Sequence, residues 1–312
     1  MKGLELCEKF YLEYGAPMIH ERFPELEGKL AIGLMGGGSE CFGYDDEISR
    51  DHDFEPAFCI FITDDIDSKT EFALERAYSK LPMELDGYKR TVLVPVGGNR
   101  HGVIKMGDFF ESKTGKRDAS LDEMEWFFVP EQSLAEATNG KIFRDDMGEL
   151  TKIRGRIEYF PEDVRLKKLA GNLLIMAQAG QYNYERCIKR GETASAQLAV
   201  FEFVRSALNA LFLLNKRYIP YYKWTFRALD ELRVLSSLKP SLEYLISSPN
   251  TEKESAKKQQ IIEQISSEII AELKSQELTS LEASSLEPHA YEVNNKIKSH
   301  KIRNLNILFA IN

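Results

Sequence analysis

Apolar residues fall in short blocks over the first third of the chain and at helical spacing over the rest. Residues 3–24 set Leu4, Phe10, Tyr11 and Leu12 among charged neighbours, which predicts a helix and a turn. The run LAIGLM over residues 30–35 is continuous and apolar, and it breaks at Gly36-Gly37-Gly38. The run AFCIFI over 57–62 is short, aromatic and β-branched. Both predict strands. A helix is expected over 69–81, and strands over 91–96 and 102–106, with a turn at Gly97-Gly98-Asn99 between them.

From about residue 121 the period changes to that of helices. Pro161-Glu162-Asp163 is a helix start, with proline early and acids in the first turn, and 164–179 follows at helical spacing. Further helices are expected over 194–218 and 225–238, with one or two more over 281–309. Residues 253–276 place Ile261, Ile262, Ile265, Ile269, Ile270 and Leu273 on one helical face. The polar stretch 247–260 reads as a mobile loop in its first part. The fold class expected is α+β. Residues 1–120 form a small mixed sheet with helices, and residues 121–312 form a mostly α-helical domain.

Composition narrows the partners. The chain has 312 residues, 43% hydrophobic and 29% charged, which suits a protein with sizeable cores. Its net charge of -8 gives no general attraction to a polyanion, so neither nucleic acid nor an anionic membrane is an expected partner. The most apolar stretch, 198–214, contains Glu202 and Arg205 and reads as a buried helix rather than a span. Cysteines 7, 41, 59 and 187 show no CxxC spacing and no histidine at zinc-ligand distance. A reducing, cytoplasmic setting without disulfides or structural zinc is expected. Glu5 and Lys9 interrupt the N-terminus where a signal peptide would be apolar.

The chemistry concentrates in GGGSECFGYDDEISRDHDF, residues 36–54, between two expected strands. A glycine-rich turn lets backbone N–H groups approach a ligand closely, and successive amides form a site for phosphate oxygens. The Ser39 hydroxyl adds a donor to the backbone of Gly37 and Gly38. No Gly-Lys-Ser/Thr follows, so this is not a Walker loop. Asp51 and Asp53 stand at i and i+2, and in a strand their carboxylates share one face. Two hard oxygen ligands plus substrate phosphates suit Mg²⁺, with Mn²⁺ as a substitute. Taken singly, the turn and the Asp51-His52-Asp53 segment read as an ordinary turn and a solvated loop. Their order and spacing point to a phosphate-and-metal site.

The Gly38-Ser39 pair with Asp51-x-Asp53 resembles the signature of the nucleotidyltransferase superfamily, which has a DNA polymerase β-like fold. GSECFGYDDEISRDHDF, PEQSLAEATNGKIF, FPEDVRLKKLA and RYIPYYKW also resemble a bacterial domain family of unknown function, over roughly residues 10–308. The resemblance implies that Ser39 contacts terminal phosphates and that Asp51 and Asp53 bind metal and act in catalysis. It implies transfer of a nucleoside monophosphate from an NTP, ATP first, to a small-molecule or protein acceptor. Members usually carry a third carboxylate on a later strand. The matching stretch here, GVIKM over 102–106, has Lys105 there, with Asp108 and Glu111 just beyond.

Arg50 is a further nucleotide-binding candidate. Lys223, in YIPYYKW, is another, reaching phosphates while a neighbouring tyrosine stacks on base or sugar; the plainer reading is aromatic filler between helices. His52 would face away from the aspartates and pack. Arg186 and Arg190 share a helix face and could hold an anionic acceptor or salt-bridge at the surface. Cys187 has no histidine nearby and is not expected to be a nucleophile. Two rivals stand beside the transferase reading. The absent third acid suggests a nucleotide-binding regulator without transfer, and the isoleucine stripe suggests a helical interaction protein.

Overall fold

The computed structural model describes residues 1–48, 54–90 and 100–311, and the chain divides into two compact units, Met1–Glu158 and Tyr159–Asn312. The strand expected over 91–96, its following turn, and Ser49, Arg50, Asp51, His52 and Asp53 lie outside the described residues.

The first unit is α+β. Helices α1 (Gly3–Phe10) and α2 (Ala16–Arg22) are joined by a π-helical turn, Tyr11–Gly15. Strand β1 (Ala31–Leu34) and strand β2 (Cys59–Ile62) are fully buried, as their unbroken apolar runs require. Helix α3 (Ser68–Tyr78) is capped by Asp67, whose carboxylate accepts from the amides of Lys69 and Thr70. A two-stranded hairpin, β3 (Glu84–Leu85) and β4 (Tyr88–Lys89), precedes β5 (Gly102–Lys105) and α4 (Met106–Thr114). Helix α5 (Glu131–Thr138), strand β6 (Lys141–Asp145) and helix α6 (Glu149–Arg156) complete the unit.

The sheet is mixed, in the order β5-β2-β1-β6, with β1 antiparallel to both neighbours and β2 parallel to β5. The helical expectation after residue 121 passes over β6. Its sequence, KIFRD, is half-buried and charged at both ends, which a strand at the sheet edge tolerates. The β1–β6 register shifts between Ile32 and Gly33, so Phe143 is the extra residue of a bulge. Its ring stacks on Tyr11 at 6.1 Å, next to the core of Phe10, Phe58 and Tyr78.

The second unit is helical: α7 (Glu162–Met176), a π-helical continuation (Ala177–Tyr184), α8 (Glu185–Lys189), α9 (Thr193–Leu214), α10 (Tyr222–Ala228), α11 (Lys239–Ser247), α12 (Glu252–Ser275), α13 (Leu286–Asn295) and α14 (His300–Arg303). Helix α7 packs against α9 and α13. Helix α9 is long and apolar enough to cross a membrane by length and composition, but 67% of its apolar window is buried in the protein, as a core helix requires. The isoleucine stripe of α12 is buried within the unit, at Ile262, Ile265, Ile269, Ile270 and Leu273.

Two local expectations are corrected. The helix predicted over 225–238 ends at Ala228 and passes into a 3-10 turn, Leu229–Glu231; beyond it Asn215 Oδ1 takes the amides of Arg233 and Val234 and Leu235 is left-handed (φ 62°), so the helix does not resume before 238. The polar stretch after Ser247 is tied down rather than loose. Buried Lys258 donates to Ser248 O and to Asn250 Oδ1, and Thr251 caps α12.

The basic residues of α7 are not surface charges. Arg165 is 2% exposed and donates to Glu162 and to Leu213 O at the C-terminal end of α9. Lys167 is fully buried, and its ammonium donates to Asn294 Oδ1 at 2.8 Å, Leu305 O at 2.7 Å and Arg303 O at 3.3 Å. Burial lowers its pKa from 10.5 to about 8. The unfolded chain therefore holds the extra proton between those values, and stability should rise with pH through that window. Lys167→Met leaves Asn294 Oδ1 and Leu305 O without this donor, while Arg303 O keeps the Asn294 amide; it should cost about 2 kcal/mol at neutral pH and reduce the rise. Urea unfolding at pH 7 and pH 10 measures both.

Candidate functional site

Because β1 runs antiparallel to β2 and β6, and β2 parallel to β5, four chain segments meet along the sheet edge formed by the strand ends, across all four strands. They are the turn after Leu34, the approach to Cys59, the approach to Gly102, and the approach to Lys141. The segments are bonded together there. Gly102 N–H donates to Phe58 O, the Cys59 thiol to Arg100 O, and Gly140 N–H to Cys41 O.

The 36–39 turn lies at this edge. Gly36 has φ 119°, a conformation that favours glycine. The Asn139 side chain holds it from both sides, accepting from Gly36 N–H at 2.9 Å and donating to Gly36 O at 2.8 Å. Internal bonds then wind the chain: Cys41 and Phe42 N–H to Gly38 O, and Tyr44 N–H to Ser39 O. Among the described residues, the amides of Gly37, Ser39 and Glu40 take no partner. Three unspent donors in a turn of this kind suit an anion.

Charged side chains surround the turn. Arg100 Nη2 donates to Glu40 Oε1 at 2.6 Å, and the Ser39 hydroxyl donates to Glu40 Oε2 at 3.5 Å. Glu136 lies beside Gly37 and is paired with Lys113. Close by, His101 Nε2 meets Glu55 Oε1 at 2.7 Å, and both side chains are largely buried. Asp45 anchors the far end of the segment, accepting from Gly3 N–H at the start of α1 and pairing with Lys2. Asp46 accepts from Ile48 N–H, which makes it a turn former.

All four cysteines are free thiols. Burial pushes Cys7 and Cys59 up to about 12 and Cys41 well above its ordinary value, so these three stay protonated at neutral pH and supply neither thiolate ligand nor nucleophile.

The stretch 102–106, where the resemblance implies a third acid, forms β5 and the first residue of α4. Strand β5 carries no carboxylate, and Lys105 pairs with Glu71 of α3 at 3.2 Å. Asp108 and Glu111 both bond Arg117, which also grips Asp64 through two nitrogens. That guanidinium holds the Asp64 carboxyl below its usual range. Among the described residues, no three His, Cys, Asp or Glu side chains cluster as a metal site. Asp51, Asp53 and Arg50 lie outside those residues.

Lys223 belongs to the second unit, where its Nζ lies 4.7 Å over the Trp224 ring. Arg186 sits over Tyr182 at the same distance. The second unit also has a cleft of about 570 Å³ lined by Gln178, Gln181, Tyr182, Asn183 and Glu263. Sequence reasoning passed over Arg100, Asn139 and Glu136. Asn139-Gly140 carries a turn signal, but nothing local marks which turn it holds.

Residues 126–225 match a protein family described as a domain of unknown function (DUF4037), less than half of the chain. The match begins in the first unit and ends in α10, so the 36–39 turn and the Asp51-x-Asp53 motif lie before it. No curated protein and no solved structure matches the chain.

Proposed function

We propose that this chain is a nucleotidyltransferase-like protein that binds a nucleoside triphosphate, ATP first among them, with Mg²⁺. It would transfer the nucleoside monophosphate to a small-molecule or protein acceptor. One observation carries the reading: a glycine turn at the sheet edge, held by Asn139, with the amides of Gly37, Ser39 and Glu40 unpartnered among the described residues. Those donors and the Ser39 hydroxyl suit phosphate oxygens, and backbone donors fixed in place need little reorganisation when charge arrives.

The sequence then runs through Asp51 and Asp53 into β2. Their carboxylates would hold the Mg²⁺, which supplies neutralisation of charge on the transferring group. The acceptor's nucleophile attacks the α-phosphorus in line, the bond to the bridging oxygen breaks, and pyrophosphate leaves. The net charge of -8 favours a small-molecule or protein acceptor over a polyanion.

A second reading, nucleotide binding without transfer, is favoured by the carboxylate-free β5 and by the capture of Asp108 and Glu111 by Arg117. The interaction-protein reading loses its motive, since the isoleucine stripe is buried within its own unit. Calorimetric titration with each NTP, with and without Mg²⁺, followed by a pyrophosphate-release assay, separates these. Metal-dependent binding with pyrophosphate release supports transfer, and binding alone supports the regulator. No binding of any NTP would remove both nucleotide readings.

A further inference from the structure

The Glu40 carboxylate lies against Gly38, beside the amides of the turn. It accepts from Arg100 Nη2 at 2.6 Å and lies 3.5 Å from the Ser39 hydroxyl, and both groups are donors suited to a phosphate oxygen. The pair lies directly over the turn. A Cβ added to Gly38 would fall 2.1 Å from Arg100 Nη2 and 2.2 Å from Glu40 Oε1, which places both charged groups directly over this residue. The two partners differ in access: the Glu40 side chain is 9% exposed and that of Arg100 is 35% exposed. The Arg100 side chain is thus the more open of the two, while its carboxylate partner is packed against the chain.

We infer that Arg100 is a phosphate-binding residue of this site, and that Glu40 is an internal anion holding its guanidinium over the turn until a triphosphate takes its place. The inference rests on the nucleotide-binding reading above and adds to it the residue that reads phosphate charge. A planar guanidinium accepts a carboxylate or a phosphate with the same fork geometry. Replacing one by the other keeps its charge paired throughout. Glu40 is then a competitor of the ligand, whereas in a purely structural ion pair it would be a support.

Those two roles give opposite signs, and titration calorimetry of the full chain distinguishes them. The probes are inorganic triphosphate and Mg-ATP. Arg100→Gln should weaken both by about tenfold or more, the loss of one charge-assisted contact. Glu40→Gln should tighten both several-fold, because that carboxylate no longer competes with the ligand. Thermal unfolding of each variant checks the fold, and Arg100→Met and Glu40→Ala serve if a glutamine variant does not fold. Wild-type binding unaltered in Arg100→Gln, or weakened in Glu40→Gln, overturns this inference and leaves the nucleotide reading standing. A wild-type chain that binds neither probe overturns both.

Discussion

Asp51→Asn combined with Asp53→Asn is expected to weaken Mg-ATP binding by about 100-fold and to make what remains independent of Mg²⁺. Amides keep the volume and polarity of the carboxylates while removing the charge that holds a divalent cation. Without the ion, the triphosphate would be held by the 36–39 turn and its cations alone, and calorimetry with and without Mg²⁺ should return the same affinity. Each single variant should fall between. Mg-ATP affinity and metal dependence equal to wild type in the double variant would show that the motif does not carry the metal and that phosphate recognition is confined to the turn.

Gly140→Ala is expected to be the most damaging conservative change near the site. Gly140 has φ 68°, and an added Cβ would stand 2.0 Å from the Leu34 carbonyl oxygen and 2.9 Å from Met35 Cα. Those are backbone atoms of β1's end and cannot rotate away. Gly148 has the same φ of 68° with nothing within 4 Å of the added carbon, so it isolates the conformational component. Gly148→Ala should cost about 1 kcal/mol, the price of a left-handed alanine. Gly140→Ala should cost about 3–4 kcal/mol, since the clash must also move the β1–β6 end. Asn139 is the preceding residue, so the surviving fold should also bind nucleotide less tightly. Denaturant unfolding of the two variants is the measurement, and equal losses would show that the close approach to Leu34 contributes nothing.

Lys105 illustrates how sequence and structure divide the candidate site. The missing acid on that strand is visible in one line of sequence, because a side chain's charge is a local property. Its pairing with Glu71 is not, and neither is the capture of Asp108 and Glu111 by Arg117. The turn itself was legible because only glycine permits the backbone it adopts, and glycine is written in the sequence. The groups around it come from 60 residues away, for Arg100 to Glu40, and from 103 away, for Asn139 to Gly36. No periodicity spans such distances.

By itself the sequence determined the α+β class, strands β1, β2 and β5, and the main helices, because continuous apolar runs and helical stripes are local consequences of burial. It also offered the Gly-Gly-Gly-Ser turn and the Asp51-x-Asp53 pair as candidate chemistry, the pair lying outside the described residues. Tertiary structure alone decided that the charged KIFRD segment closes the sheet edge as β6, because an edge strand needs only one hydrogen-bonded side. It also decided that Arg165 and Lys167 are buried, because carbonyls from distant segments satisfy them. Finally, it set the Glu40–Arg100 pair over Gly38, because strand pairing brings remote segments to one edge.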